Sequence, residues 1–99
     1  MSQQAAGADL PDLPAPDFSA EQTEYVGEAN VDFIGTNGGG PASSYRWSWG
    51  DNGEDTTGSG EGAITSHYYA GSGEYTVSYT LYNAAGSVTE TKTDYITVT

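Results

Sequence analysis

The stretch Glu74–Tyr82 alternates apolar and polar side chains without interruption, and this two-residue period constrains the fold more than any other feature. Its side chains divide into an apolar face and a polar face: Tyr75, Val77, Tyr79 and Leu81 against Thr76, Ser78 and Thr80. Such a period is typical of a β-strand with one face on a core and the other in water. No stretch keeps the 3.6-residue apolar period of a helix, so we expect an all-β protein.

Shorter segments repeat the same alternation and are separated by turn signals roughly every ten residues. They predict strands at 17–20, 29–34, 44–49, 63–69 and 88–98. The segment 50–62 contains five glycines and no apolar side chain, and we expect it to be an irregular loop. About seven short strands at this spacing predict a two-layer antiparallel sandwich that spans residues 17–99.

Residues 1–16 differ from the rest, because they hold three of the four prolines and no β-branched residue. Closely spaced prolines favour extended backbone, so we expect a Pro-rich, extended N-terminal arm. One interpretation is a disordered tether. The other is an ordered arm that contacts a partner protein through four residues, Leu10, Pro11, Leu13 and Pro14.

The charge of the chain excludes several classes of partner. Fourteen acidic and two basic side chains give a formal net charge of −12, which argues against nucleic acid and anionic membranes. There is no cysteine, so disulfides and thiolate chemistry are excluded, and no apolar run is long enough for membrane insertion. So acidic a chain with so little lysine is typical of proteins from halophilic organisms. The alternative is an ordinary acidic domain that its charge keeps soluble.

Four landmarks occur in a fixed order in the second half of the chain. They are Trp47-Ser48-Trp49-Gly50-Asp51-Asn52-Gly53, His67-Tyr68-Tyr69 before Gly73-Glu74-Tyr75-Thr76-Val77, Asn83-x-x-Gly86, and the closing Ile96-Thr97-Val98. With these landmarks, residues 16–99 resemble the polycystic kidney disease (PKD) domain, an immunoglobulin-like β-sandwich. The sequence departs from the family pattern at Ser48, Trp49 and the additional Asn52.

The resemblance implies a seven-stranded antiparallel immunoglobulin-like sandwich, preceded by the extended arm, and a set of residues that stabilise the fold instead of an active site. These fold-signature residues are Trp47, Trp49, Gly50, Asp51, His67, Tyr69, Gly73, Tyr75 and Val77. We expect Trp47 and Trp49 at the centre of the core. We expect His67 to hydrogen-bond to the turn after Trp49 or to a neighbouring strand.

Catalysis is not expected from this inventory. His67 is the only histidine, and its neighbour Ser66 would point to the opposite face of the same strand, so the two do not meet as base and nucleophile. We therefore predict that the protein is not an enzyme and has no catalytic residues.

The acidic loop after Trp49 offers oxygen ligands for Ca²⁺ at Asp51, Glu54 and Asp55. Asp51-x-Gly53-x-Asp55 matches the start of an EF-hand loop, but the remaining ligands are missing at the required offsets. We expect no cofactor, with carboxylates that are simply solvated. Calcium binding at these three residues stays open as the alternative.

The resemblance implies an extracellular setting, since PKD-type domains serve as spacers, interaction modules and accessory domains of secreted enzymes. The chain begins with Met and shows no secretion signal, and virus particles released by lysis need none. We therefore expect a non-enzymatic structural or adhesion module on an extracellular surface. Most concretely, we expect a virion surface protein (capsid decoration or tail), of a virus of a halophilic host, whose arm binds capsid or tail proteins.

A second hypothesis remains open. The chain would then be a PKD-type spacer, or a carbohydrate- or protein-binding accessory domain, of a larger secreted or cell-surface protein. In either setting, exposed Tyr68, Tyr82 and Tyr95 would offer contacts to a surface glycan or receptor.

Overall fold

A computed structural model describes residues 10–99, which form two β-sheets and contain no helix. The eight strands are β1 (Pro16–Ala20), β2 (Glu24–Tyr25), β3 (Ala29–Asn37), β4 (Ser44–Ser48), β5 (Thr56–Ser59), β6 (Ile64–Tyr69), β7 (Gly73–Asn83) and β8 (Gly86–Val98). The all-β, immunoglobulin-like sandwich predicted from the sequence is confirmed, with eight strands in place of seven.

The strands are divided between the two layers so that the chain crosses repeatedly from one to the other. One sheet has the order β1-β3-β6, and the other has the order β2-β8-β7-β4-β5. All pairs are antiparallel except the short β2, which runs parallel to the end of β8. Consecutive strands such as β3 and β4, or β6 and β7, therefore lie in different layers, as a sandwich requires.

Strand β5 lies inside 50–62, the segment that the sequence predicts to be irregular, and that prediction is wrong there. The strand pairs with β4 from Ser44↔Ser59 to Trp47↔Thr56. Its side chains are polar and at least partly exposed, because it forms the edge of the sheet and covers little of the core. Hydrogen bonds to β4 hold it in place, and these leave no apolar pattern in the sequence.

The core lies between the layers and is mostly aromatic. Trp47 stacks on Trp49 with 5.3 Å between ring centroids, and on Tyr79 with 4.2 Å. Large rings bury much apolar area each, which compensates for a hydrophobic content of only 35%. The twelve buried apolar residues are Phe18, Ala29, Val31, Phe33, Trp47, Trp49, Tyr69, Val77, Tyr79, Leu81, Ile96 and Val98.

A bulge interrupts the alternation near the end of β8. Tyr75 pairs with Ile96 and Val77 with Lys92, so two steps along β7 face four along β8. Ile96 is buried, whereas Tyr95 is half-buried and its hydroxyl accepts the Ala20 N–H at 3.1 Å. The alternation in the sequence slips at Tyr95 and Ile96 and leaves open which of the two faces inward. The bulge buries Ile96 and turns the Tyr95 ring onto the edge of the core, so the Tyr95 ring is only partly available for contacts.

Candidate functional site

Five of the fold-signature residues meet at the turn that follows β4: Trp49, Gly50, Asp51, His67 and Tyr69. Gly50 has a φ of 80°, and a Cβ atom there would lie 2.3 Å from the Thr76 carbonyl oxygen of β7, so only glycine fits. Asn52 also has a positive φ, of 65°. The Oδ1 atom of Asp51 accepts the Gly53 N–H at 3.0 Å and closes the turn.

His67 joins this turn to the opposite sheet. Its Nε2 atom lies 2.6 Å from Asp51 Oδ2, and its ring stacks on Trp49 with 4.6 Å between centroids. Beside it, the Tyr69 hydroxyl donates to the Trp49 carbonyl at 2.8 Å. Because β6 and β4 belong to different sheets, these contacts fasten one layer of the sandwich to the other.

The electrostatics of the turn keep the Asp51 carboxylate ionised. Partial burial raises the pKa of Asp51, but hydrogen bonds from His67 and the Gly53 N–H outweigh it, so the pKa lies below its ordinary value. Burial also raises the pKa of Tyr69, which favours its neutral, hydrogen-bonding form. Both groups are therefore held in the protonation state that the structural contacts need.

The histidine and the serine beside it do not form a catalytic pair. His67 faces inward and is half-buried, while Ser66 lies exposed on the outer face of the same strand. Within residues 10–99 the one side-chain hydrogen bond of His67 is to Asp51. The pair resembles the base and orienting carboxylate of a triad, without a nucleophile bonded to the imidazole.

The three calcium candidates are not arranged as a metal site. Asp51 faces His67, Asp55 Oδ2 accepts from Arg46 Nε at 2.6 Å, and Glu54 is exposed. In the part of the chain that the structure describes, no group of three or more His, Asp or Glu side chains could hold a metal ion.

Both basic side chains are also held in ion pairs. Arg46 binds Asp55, and Lys92 Nζ lies 3.2 Å from Asp17 Oδ1 and 3.7 Å from Glu90. The Lys92 ammonium also lies 5.3 Å from the centroid of the Phe18 ring. Lys92 of β8 thus links the edge of one sheet to Asp17 of β1 in the other.

The second half of the predicted arm lies against the domain itself. Residues 12–15 run along the loop 37–40 and past Asn83, while residues 1–9 of the arm lie outside the described residues. The hydrogen bonds are Gly40 N–H to Leu13 C=O (2.9 Å), Gly38 N–H to Ala15 C=O (3.0 Å), Ala15 N–H to Asn37 Oδ1 (3.0 Å) and Asn83 Nδ2 to Asp12 C=O (2.7 Å).

The four candidate residues of the arm differ in their surroundings. Pro14 is buried against the domain and Pro11 is half-buried. Leu10 and Leu13 keep 54% and 48% of their surface exposed, so their side chains remain available. The arm is therefore a fixed extension of the sandwich from residue 12 onward, and β1 begins at Pro16, one residue before the predicted boundary.

The sequence patterns do not predict one surface feature, a pair of exposed isoleucines. Ile34 and Ile64 are register partners on the outer face of the three-stranded sheet, and both are exposed. The alternation that places Val31 and Phe33 inward also places Ile34 outward, so the exposure of Ile34 could be predicted from the sequence. Its adjacency to Ile64 depends on the pairing of β3 with β6.

Together the sandwich and its structural side chains define an immunoglobulin-like module. A model of the PKD domain family matches residues 12–98, and the chain belongs to that family. PKD domains are non-catalytic modules that occur in extracellular proteins and mediate protein–protein interactions. A search of the curated proteins found no match. No helix within residues 10–99 is long and apolar enough to cross a membrane.

Proposed function

We propose that the chain is a structural and adhesion module on the surface of a virus particle, as a capsid decoration or tail protein, anchored through its N-terminal arm. The observation that carries this proposal is the presentation of Leu10 and Leu13. Both leucines are about half exposed, yet the backbone from residue 12 onward is hydrogen-bonded to the domain. Leu13 is held in one conformation by these hydrogen bonds and therefore loses less entropy on binding than a residue of a free tail does, while Leu10 precedes the bonded segment.

The side chains that usually perform chemistry support a role without catalysis. His67 is committed to Asp51, Arg46 to Asp55, and Lys92 to Asp17. Each pair joins separate strands or loops, so each serves the integrity of the sandwich. A capsid or tail partner would therefore meet a rigid module whose polar contacts are already made.

The acidic surface supports a salt-rich setting. At the net charge of −12, carboxylates repel one another across the surface at low salt. The Debye length falls from roughly 8 Å at physiological salt to roughly 3 Å at 1 M, which screens that repulsion. The virus of a halophilic host is the setting that fits this charge, and dispersed, mutually repelling particles would be its consequence.

Fractionation of the source culture tests the proposal. Antibodies against the full chain are used to follow it through density-gradient fractions of particles, envelopes and secreted protein. We expect it to co-sediment with virus particles. Recovery only in the secreted or envelope fractions contradicts the virion assignment and supports the spacer or accessory-domain alternative.

A variant pair tests the anchor. The double variant Leu10→Ser/Leu13→Ser should lose attachment to particles stripped of this protein, with an unchanged unfolding midpoint. Val26→Ser, which alters another exposed apolar side chain, should keep both. Equal attachment of the two variants would contradict anchoring through the arm.

A further inference from the structure

The outer face of the three-stranded sheet carries two exposed isoleucines side by side. Ile34 of β3 and Ile64 of β6 are register partners with 57% and 84% of their surface exposed. Their outward-facing neighbours Asp32 and Ser66 are polar, so the apolar patch is local. Single exposed apolar residues are ordinary, whereas an adjacent pair beside a concave surface is a feature of interaction sites.

A groove of about 630 Å³ includes this pair. Glu21 and Asp32 are the titratable side chains of its lining, and both are carboxylates. Neither Arg46 nor Lys92 is among the lining residues. The groove is therefore apolar at its isoleucines and negatively charged beside them, which complements a segment with both apolar and basic side chains.

Strand β6 also forms an open edge of its sheet, since in the described part of the chain it pairs only with β3. The other edges are protected. β1 begins with Pro16, and the four-residue β5 contains Gly58. β2 covers β8 only at Thr97 and Val98, and the uncovered part of β8 carries the bulge and three charged side chains, Glu90, Lys92 and Asp94. β6 has six residues and contains no proline, lysine or carboxylate. Natural proteins protect exposed edges with such features, so a long unprotected edge indicates a place for strand pairing.

The backbone groups at this edge can be assigned from the register. The Gly35 N–H donates to the Ala63 carbonyl at 2.6 Å, and hydrogen-bonded pairs alternate along an antiparallel ladder. The N–H and C=O groups of Ile64, Ser66 and Tyr68 therefore point away from β3, toward the open edge. Within residues 10–99, these three residues thus offer donors and acceptors without a strand partner, beside the isoleucine pair.

We propose that the open edge of β6 and the Ile34–Ile64 pair bind an extended basic segment of a partner protein, which adds to the sheet as a fourth strand. Its backbone pairs with Ile64, Ser66 and Tyr68, an apolar side chain covers the isoleucines, and Lys or Arg side chains lie beside Asp32 and Glu21. A second copy of this chain is disfavoured as occupant, because edge-to-edge pairing would bring these carboxylates of two −12 chains together. The site uses no residue of the N-terminal arm, so this proposal can be tested independently of the proposed anchor.

Two acetylated peptides of equal length serve as probes, one alternating Lys and Val and the other alternating Glu and Val. Binding to the full chain is measured by fluorescence anisotropy, and the site by backbone amide shifts and hydrogen exchange. We expect the Lys/Val peptide to bind, more weakly as salt rises, and to slow exchange of the Ile64, Ser66 and Tyr68 amides. The Glu/Val peptide should not bind.

Matched variants separate this site from general attraction to an acidic protein. Ser66→Pro removes an edge-facing N–H without removing a bond to β3, and should abolish binding. Ile64→Ser should weaken binding about tenfold, while Val26→Ser leaves it unchanged. Asp32→Asn should weaken binding more than Glu74→Gln, an exposed carboxylate outside the groove.

Equal binding by all of these variants, or amide shifts spread outside β6, would overturn the proposal. If Ser66→Pro unfolds, the decision rests on Ile64→Ser and on exchange at the three edge amides. Unslowed exchange at those amides with the peptide bound also overturns it.

Discussion

Replacement of Gly50 by alanine should destabilise the domain far more than the same replacement at Gly60, although both glycines have a φ of +80°. An alanine at either position suffers the same left-handed backbone conformation, at roughly 1–2 kcal/mol. At Gly60 a Cβ atom would meet nothing within 4 Å. The comparison therefore cancels the conformational cost and isolates the close approach of the turn to its neighbours.

At Gly50 the added Cβ would lie 2.3 Å from the Thr76 carbonyl oxygen and 2.9 Å from its nitrogen. These are backbone atoms of β7, which cannot swing aside as a flexible side chain would, so β4 and β7 would have to separate. Overpacking of this kind typically costs about 1–3 kcal/mol beyond the backbone term. The expected total is about 2–5 kcal/mol, against roughly 5–13 kcal/mol for the stability of a domain of this length.

The stability of both variants is measured by urea unfolding at a fixed NaCl concentration. Unfolding is followed by the fluorescence of Trp47 and Trp49, which are buried in the core. The midpoint of Gly50→Ala should fall well below that of Gly60→Ala, with similar slopes. Gly27→Ala is a second control, because its φ of +82° also faces open space. Equal losses at all three positions would refute the contact between the turn and β7.

Three further predictions concern the ionisable groups. Because the pKa of Asp51 is lowered in the fold, its carboxylate stabilises the domain at neutral pH. This contribution is lost as the pH falls below the ordinary value of 3.8. The urea midpoint of the wild type should therefore drop below that pH, and the midpoint of Asp51→Asn should drop much less. An unchanged acid response of Asp51→Asn would contradict the pairing with His67. Tyr69→Phe leaves the Trp49 carbonyl without its 2.8 Å donor and should lower the free energy of unfolding by about 1–3 kcal/mol. Burial raises the pKa of Tyr69 and raises the pKa of Tyr79 to about 12. In an absorbance titration to pH 11, both tyrosines should therefore stay protonated until the protein unfolds. Thermal midpoints should rise between about 0.1 and 2 M NaCl as surface repulsion is screened, and equal midpoints would contradict the halophilic hypothesis.

The inner faces of the strands were predictable from the sequence, because a two-residue period leaves one arrangement that buries the apolar side chains. Val77, Tyr79 and Leu81 are buried as their alternation predicts, and so are Val31 and Phe33. The family resemblance led us to expect a hydrogen bond from His67 to the turn after Trp49 or to a neighbouring strand, and His67 Nε2 lies 2.6 Å from Asp51 Oδ2 in that turn. The local sequence pattern is therefore sufficient to predict which side chains of a strand face the core.

Other features depend on contacts that leave no pattern along the chain. The polar β5 is held by backbone bonds to β4, and the arm is held by the loop glycines Gly38 and Gly40. Tyr95 turns inward because of the bulge opposite Tyr75. The Ile34–Ile64 pair exists only once β3 and β6 are in register. Each of these requires a tertiary pairing that one strand alone does not specify.

Limited proteolysis with mass analysis tests the central claim most directly, applied to the source assembly and to the freed protein at the same high salt. Endoproteinase Glu-C in phosphate buffer is suitable, because it cleaves after aspartate as well as glutamate and has sites between Asp9 and Leu10 and between Asp12 and Leu13. We expect cleavage between Asp9 and Leu10 in the freed protein, none between Asp12 and Leu13, and protection of the Asp9–Leu10 bond in the assembly. Equal cleavage of the Asp9–Leu10 bond in both states would contradict anchoring through the arm. Cleavage between Asp12 and Leu13 in both would further contradict the attachment of residues 12–15 to the domain.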